Sequence, residues 1–183
     1  MTVRTVVTSP RSRRASLACA VMNILTPVAV RVGRLSWLPK YLKYIVSTDK
    51  AIHRVTGGRY GLLAVAGLPQ LMLTVRGRKS GVPRTTPLLC VPNDGSFLIA
   101  GSNWGDAKLP VWVLNLRANP DARISHKGRD IPVHAREVTG EERERLWQVM
   151  VRTWPNYDKY AERTDRVIPV FVLTPLGRVA DGA

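Results

Sequence analysis

Between Pro39 and about Arg54 the apolar positions recur at helical spacing. At 100° per residue, Leu38, Tyr41, Leu42, Ile45 and Ile52 share one side, and Lys40, Lys43, Lys50 and Arg54 gather on the other within roughly 80°. Such a helix either covers a core or lies on a membrane with its lysines at the lipid headgroups. Gly57-Gly58 stops it, and Gly67-Leu68-Pro69 closes the connecting segment. Strand patterns follow. Leu71–Val75 reads as a strand, Gly77–Gly81 as its turn and Thr85–Val91 as the returning strand; Asn93-Asp94-Gly95 turns again into Ser96–Gly101. Pro110 opens a short helix, Val111–Ala118, that Asn119-Pro120 ends. Ala122–His126 and Ile131–Val138 form a hairpin around Lys127-Gly128-Arg129. Thr139-Gly140-Glu141-Glu142 has the spacing of a capping box, and the helix it opens must end before Pro155. Tyr157–Arg163 is a further turn or helix, and Val167–Leu173 a last strand. Hairpins outnumber βαβ crossovers, so the expected fold class is α+β: a mainly antiparallel sheet curled into a small barrel, with flanking helices and an N-terminal amphipathic helix.

The start of the chain stands apart from this pattern. Arg11, Arg13 and Arg14 precede a charge-free stretch from Ala15 to Val30, shorter than the ~20 residues that span a bilayer. The arginine pair superficially suggests a twin-arginine export signal, but no small-residue cleavage site follows, so export is not expected. Residues 1–36 are expected to be a flexible or membrane-proximal extension, and residues 37–183 a single barrel domain. Met22 is an alternative start, which would leave residues 1–21 untranslated.

Composition supports one globular domain: 183 residues, 45% hydrophobic and 22% charged. Charge distribution changes the picture more. Residues 1–93 carry 15 basic residues against one acid, Asp49, whereas residues 94–183 carry 13 against 12. An electropositive front half suits nucleic acid, an anionic membrane face or an anionic small molecule, or is a solvated basic face. The two cysteines, Cys19 and Cys90, make no CxxC motif, and His53, His126 and His134 lie far apart, so no metal site is expected.

Common motifs fail in turn. Gly77-Arg78-Lys79-Ser80 lacks the glycine before Lys and the upstream glycine of a phosphate loop, and no G-x-G-x-x-G occurs. Ser102 sits wrongly for a nucleophile elbow. No RNP, zinc-finger or helix-turn-helix signature supports nucleic-acid binding. What remains is the turn itself: Arg76, Arg78, Lys79 and Arg84, with the Ser80 hydroxyl and glycine amides, fall within nine residues. Such a turn can cradle an anion, and it also suits a solvated loop.

Further motifs follow in order. Thr74-x-x-Gly77-Arg78-Lys79-Ser80-Gly81-x-Pro83-Arg84 precedes Pro87-Leu88 and Gly101-Ser102-Asn103. Pro110-x-Trp112-x-Leu114-Asn115-Leu116-Arg117-Ala118-Asn119-Pro120, Trp154-Pro155-x-Tyr157-x-x-Tyr160 and Thr164-Asp165-Arg166-x-Ile168-Pro169 complete the series. The series resembles the deazaflavin (coenzyme F420)-dependent nitroreductase family of actinobacteria over about residues 40–175.

The resemblance implies a split β-barrel and an oxidoreductase using reduced coenzyme F420 to reduce a quinone, nitroaromatic or activated alkene. Carried over, Arg78, Lys79 and Ser80 match the turn holding the cofactor's phosphate. Pro87, Leu89, Ser102, Trp112, Asn115 and Arg117 match positions around the deazaflavin ring and its tail. Tyr157 and Tyr160 match tyrosines on the substrate side, with Ser102 near the reacting face; these three are the implied catalytic residues. Trp112 and Trp154 equally suit core or rim packing, and Tyr157 and Tyr160 at i, i+3 suit packing on one helical face. The chain departs from the family's pattern at Asn103, where a Lys occurs, and at Leu89 and Trp154, where tyrosines occur. The implied pocket is less cationic and differently shaped. Implied partners are a small acceptor such as menaquinone and an anionic membrane surface, with no nucleic acid. The implied location is cytoplasmic, peripheral on the inner face of the cell membrane. The rival from another class is a non-enzymatic carrier of the deazaflavin or of an apolar anion.

Overall fold

The computed structural model describes residues 68–177. The expected extension at 1–36 and the amphipathic helix beyond Pro39 lie outside these residues. Seven strands form one antiparallel sheet: β1 (Gln70–Arg76), β2 (Pro83–Leu89), β3 (Val91–Asn93), β4 (Ser96–Ala100), β5 (Asp121–His126), β6 (Arg129–Val138) and β7 (Val170–Pro175). Their order across the sheet is β2-β1-β5-β6-β7-β4-β3. Three helices accompany them: α1 (Val111–Ala118), α2 (Gly140–Thr153) and α3 (Asn156–Ala161), with a 3-10 turn at Asn103–Gly105.

The strand expected at Thr85–Val91 is two strands, and the break shapes the molecule. β2 pairs with β1 at one edge of the sheet and β3 pairs with β4 at the other, yet only Cys90 separates them. A sheet whose opposite edges are joined by one residue must curl on itself. Cys90 marks the seam, where its N–H donates to the Pro69 carbonyl at 3.0 Å. No ladder joins β2 to β3, so the barrel is split, as expected for an α+β fold of this type.

Two of the tight turns are set by local chemistry. Asp94-Gly95 and Lys127-Gly128 have positive φ at both positions (45° and 73°; 50° and 76°), the geometry of a two-residue hairpin whose twist matches its strands. The capping box expected at Thr139 does not form: its side chain makes no capping hydrogen bond. Glu142 instead takes both guanidinium nitrogens of Arg136 on β6 at 2.8 Å. A charge-assisted bidentate pair outcompetes a bond from a neutral backbone amide.

Alternation along the strands divides the core in two. Leu71, Leu73, Val75, Ile99, Ile124, Val133, Phe171 and Leu173 fill the barrel with Trp112, Val113 and Leu116 of α1. Leu98, Val138 and Val170 face outward onto Leu146, Trp147 and Met150 of α2 and Tyr157 and Tyr160 of α3. Helix α3 is fixed against α2 by the Trp147 indole, which donates to the Asp158 carboxylate at 3.0 Å.

Candidate active site

The β1–β2 turn is held by its own backbone. Gly77 N–H donates to the Val82 carbonyl at 2.9 Å, and Gly81 N–H to the Gly77 carbonyl at 2.7 Å. Gly81 has φ +68°, a conformation glycine adopts without a Cβ penalty. Helix α1 pins the turn from the side: buried Asn115 accepts from Arg78 N–H at 3.1 Å, and Asn119 donates to the Arg76 carbonyl at 3.3 Å. Asn115 lies on α1 and Asn119 is its C-cap residue, so the last turn of the helix and its cap grip the β1–β2 turn. Asn115 therefore does a job the sequence did not reveal.

Arg78, Lys79, Ser80 and Arg84 line a cavity of about 920 Å³, with Thr74, Thr85 and Ser125 from the strands and Trp112 and Asn115 from α1. A second cavity of about 330 Å³ shares Thr86, Val111 and Trp112 with it. The two adjoin at these residues and are taken together as one groove, with a cationic end and an aromatic end. Pro87, Leu89, Ser102, Trp154, Tyr157 and Tyr160 line the aromatic end, with Asn103 and Trp104.

The groove gathers all but one of the residues singled out by resemblance. Arg117 is the exception: its guanidinium meets the Glu137 carboxylate through two hydrogen bonds of 2.7 Å, and it lines a separate hollow. Trp112, Trp154, Tyr157 and Tyr160 are core residues and groove walls at once. Trp104, Val111 and Thr86 line the groove without having been anticipated. Trp104 has left-handed backbone (φ 59°, ψ 19°), which no local sequence rule assigns to a tryptophan.

Electrostatics at the aromatic end favour neutral phenols. Burial raises the pKa of Tyr157 well above the ordinary tyrosine value. Tyr160 is also raised by burial, opposed by hydrogen bonds with the Trp154 and Asn156 side chains and by the Arg163 charge. An indole N–H only donates, so the Tyr160 oxygen accepts from Trp154; burial, not this bond, is what holds the phenol's own proton. The Tyr160 ring stands 5.8 Å from Trp104 and 6.3 Å from Tyr157, edge-on to the latter. Ser102 is half-buried on the same wall. His126 and His134 line neither part of the groove; they bind the Gln70 carbonyl at 2.8 Å and the Asp121 carboxylate at 2.7 Å.

A sequence profile of the F420H(2)-dependent quinone reductase family matches residues 45–175. An F420H(2)-dependent quinone reductase of Mycobacterium tuberculosis is 37% identical over 142 residues, covering 75% of this chain and 95% of that protein. Among solved structures, one described as an F420-H2 dependent reductase is 40% identical, with TM-score 0.54, over 57% of this chain and 93% of its own. Another, described as a domain-swapped dimer, is 35% identical, with TM-score 0.56, over 69% and 96% respectively. The profile spans the groove from its basic turn to its tyrosines, and the chain belongs to the F420H(2)-dependent quinone reductase family.

Proposed function

We propose that the protein binds reduced coenzyme F420 along the whole groove and reduces a quinone, menaquinone in particular, at the aromatic end. The observation carrying this reading is that the two cavities adjoin at shared walls, Thr86, Val111 and Trp112. A cofactor with a flat ring and a phosphate-bearing, polyanionic tail needs an apolar slot and a cationic cradle in one trough. The residues present fit it: Arg78, Lys79, Ser80 and Arg84 for the phosphate, Pro87, Leu89 and Trp112 for the ring. When bound, the cofactor supplies the hydride; the chain supplies orientation, apolar shielding and hydrogen-bond donors.

Among the described residues, Ser102, Tyr157 and Tyr160 carry side-chain hydroxyls at the acceptor end, with Thr86 where the two cavities meet. Hydride arrival places negative charge on an acceptor oxygen, and a neutral phenol or hydroxyl there stabilises or protonates it. We assign the proton to Tyr160 and an orienting hydrogen bond to Ser102. Nitroaromatics and activated alkenes develop the same charge and fall within reach of the same donors.

No helix among the described residues is long and apolar enough to cross a membrane. The basic amphipathic pattern at 39–54 supports peripheral attachment to an anionic membrane, where a lipid-soluble quinone resides. A cytoplasmic protein on the inner membrane face fits these requirements.

The test is oxidation of F420H2 followed by absorbance, with menadione, a nitroaromatic and an activated alkene as acceptors. Turnover with menadione is expected. Tyr160→Phe should lower turnover toward the lower end of the 10²–10⁴-fold range of a positioned acid, with F420 affinity nearly constant. Cofactor binding without oxidation by any acceptor would identify a carrier instead.

A further inference from the structure

The loop between β4 and α1 carries Ser102, Asn103 and Trp104 into the acceptor end of the groove, and its backbone is strained. Asn103 and Trp104 both have positive φ (47° and 59°), a left-handed conformation that L side chains rarely adopt and that surrounding structure must impose. Gly105 continues it at φ +85°, where a Cβ would lie 2.9 Å from the Tyr160 carbonyl.

The 164–169 segment braces the loop on both sides of this pair. Gly101 N–H donates to the Pro169 carbonyl at 2.9 Å. The Arg166 guanidinium then takes three main-chain carbonyls of the loop: Gly101 at 3.0 Å, Ser102 at 2.7 Å and Asp106 at 3.0 Å. It does so without an ion pair to any carboxylate among the described residues. Arg166 lines a hollow that shares no residue with the groove, so it holds the loop from outside the site.

The orientation has a chemical consequence. Every described peptide bond is trans, so each N–H points opposite to the carbonyl of the residue before it. With the Gly101 and Ser102 carbonyls turned toward Arg166, the N–H groups of Ser102 and Asn103 turn away from it. Neither N–H donates to an acceptor among the described residues. Ser102 is right-handed (φ −68°, ψ −35°) and Asn103 left-handed, a succession whose amides converge on an anion.

We propose that Arg166 is a positioning residue. Its three-carbonyl clamp presets the amides of Ser102 and Asn103, with the Ser102 hydroxyl, as donors to the acceptor oxygen that becomes negative on reduction. In the balanced step, one hydride and one proton convert a quinone to a hydroquinone, and the preset donors stabilise the anion formed between the two transfers. This inference rests on the acceptor reading above.

The experiment compares wild type, Arg166→Met and Arg166→Lys by three readouts: hydrogen–deuterium exchange, F420 affinity from fluorescence, and steady-state kinetics with menadione. In Arg166→Met the Gly105 and Asp106 amides, which donate to the Ser102 and Asn103 carbonyls at 3.0 Å, should exchange at least about tenfold faster, while β6 and β7 amides keep wild-type rates. Turnover should fall about tenfold or more, with F420 affinity within about threefold, and Arg166→Lys should recover part of both losses. Unchanged loop exchange, unchanged turnover, or exchange accelerated equally across the sheet would overturn the proposal. If wild type itself reduces no acceptor, the acceptor reading fails, and the exchange pattern alone decides whether Arg166 clamps the loop.

Discussion

Lys79 sits at the tip of a turn whose backbone is fixed by other residues, so its ammonium is available to a ligand without holding the fold. A charge-assisted hydrogen bond to a phosphate contributes roughly 1.5–3 kcal/mol. Lys79→Ala should therefore weaken F420 binding by about one to two orders of magnitude, measured by fluorescence titration, and leave the melting temperature unchanged. The buried acids behave differently. Burial raises Cys90 from 9.0 to about 12 and holds Tyr157 and Tyr160 above the ordinary phenol value. Each keeps its proton in the folded protein while the unfolded chain releases it, the thiol from about pH 9 and the phenols from about pH 10. The unfolded state then binds fewer protons, so stability is constant below these values and falls as pH rises through them. Urea denaturation between pH 8 and 11 should show this fall, and Tyr157→Phe should remove up to about 1.4 kcal/mol per pH unit of its slope above pH 10. An unaltered slope in that variant would mean that Tyr157 ionises freely in the folded state.

Helix α1 works as a bracket between the barrel interior and the basic turn. Val113 and Leu116 anchor it in the core, and Asn115 on the helix and Asn119 at its C-cap carry the turn. Asn115→Ala removes the partner of the Arg78 amide, a part-buried hydrogen bond whose loss costs roughly 0.5–1.5 kcal/mol. Thermal denaturation should register that loss, and F420 affinity should fall as well, because the turn's amides are no longer aligned. Asn115→Asp keeps an acceptor in place and should preserve more of the stability than Ala. Helix α2 carries a contrasting lesson. Its expected N-terminal box is replaced by the Arg136–Glu142 pair, which ties the helix to β6. Substituting Ala for Thr139 should then cost less than the 0.5–2 kcal/mol typical of a functioning cap.

On the scale of the molecule, the groove joins a basic turn to an apolar slot, and under the proposed cofactor reading the two ends should respond differently to salt. Exposed charges are screened over about 10 Å at 0.1 M ionic strength, whereas ring packing is not. F420 affinity should fall steadily between 50 mM and 500 mM salt, while the Michaelis constant for an uncharged quinone stays nearly flat. A salt-independent cofactor affinity would remove the phosphate role from Arg78, Lys79 and Arg84. Much of this architecture was written locally. Alternating apolar residues, glycine turns and the prolines at 110 and 155 specify strands, hairpins and helix limits through steric and periodic rules that act over a few residues. The family resemblance carried by the basic turn, Ser102 and the two tyrosines named candidate residues, which the fold brings to adjoining cavities. Other features depend on contacts that sequence distance hides. The split of one expected strand at Cys90 follows from which partners its two halves find across the curled sheet. The left-handed Asn103-Trp104 pair sits between Gly101, Ser102 and Asp106, which Arg166 and Pro169, 60 or more residues later, tie down. Arg117 matches a cofactor position by sequence, yet the fold sets Glu137 beside it and turns it to another hollow. Local rules fix what a segment can become; only the packed barrel decides which of two competing partners a side chain meets.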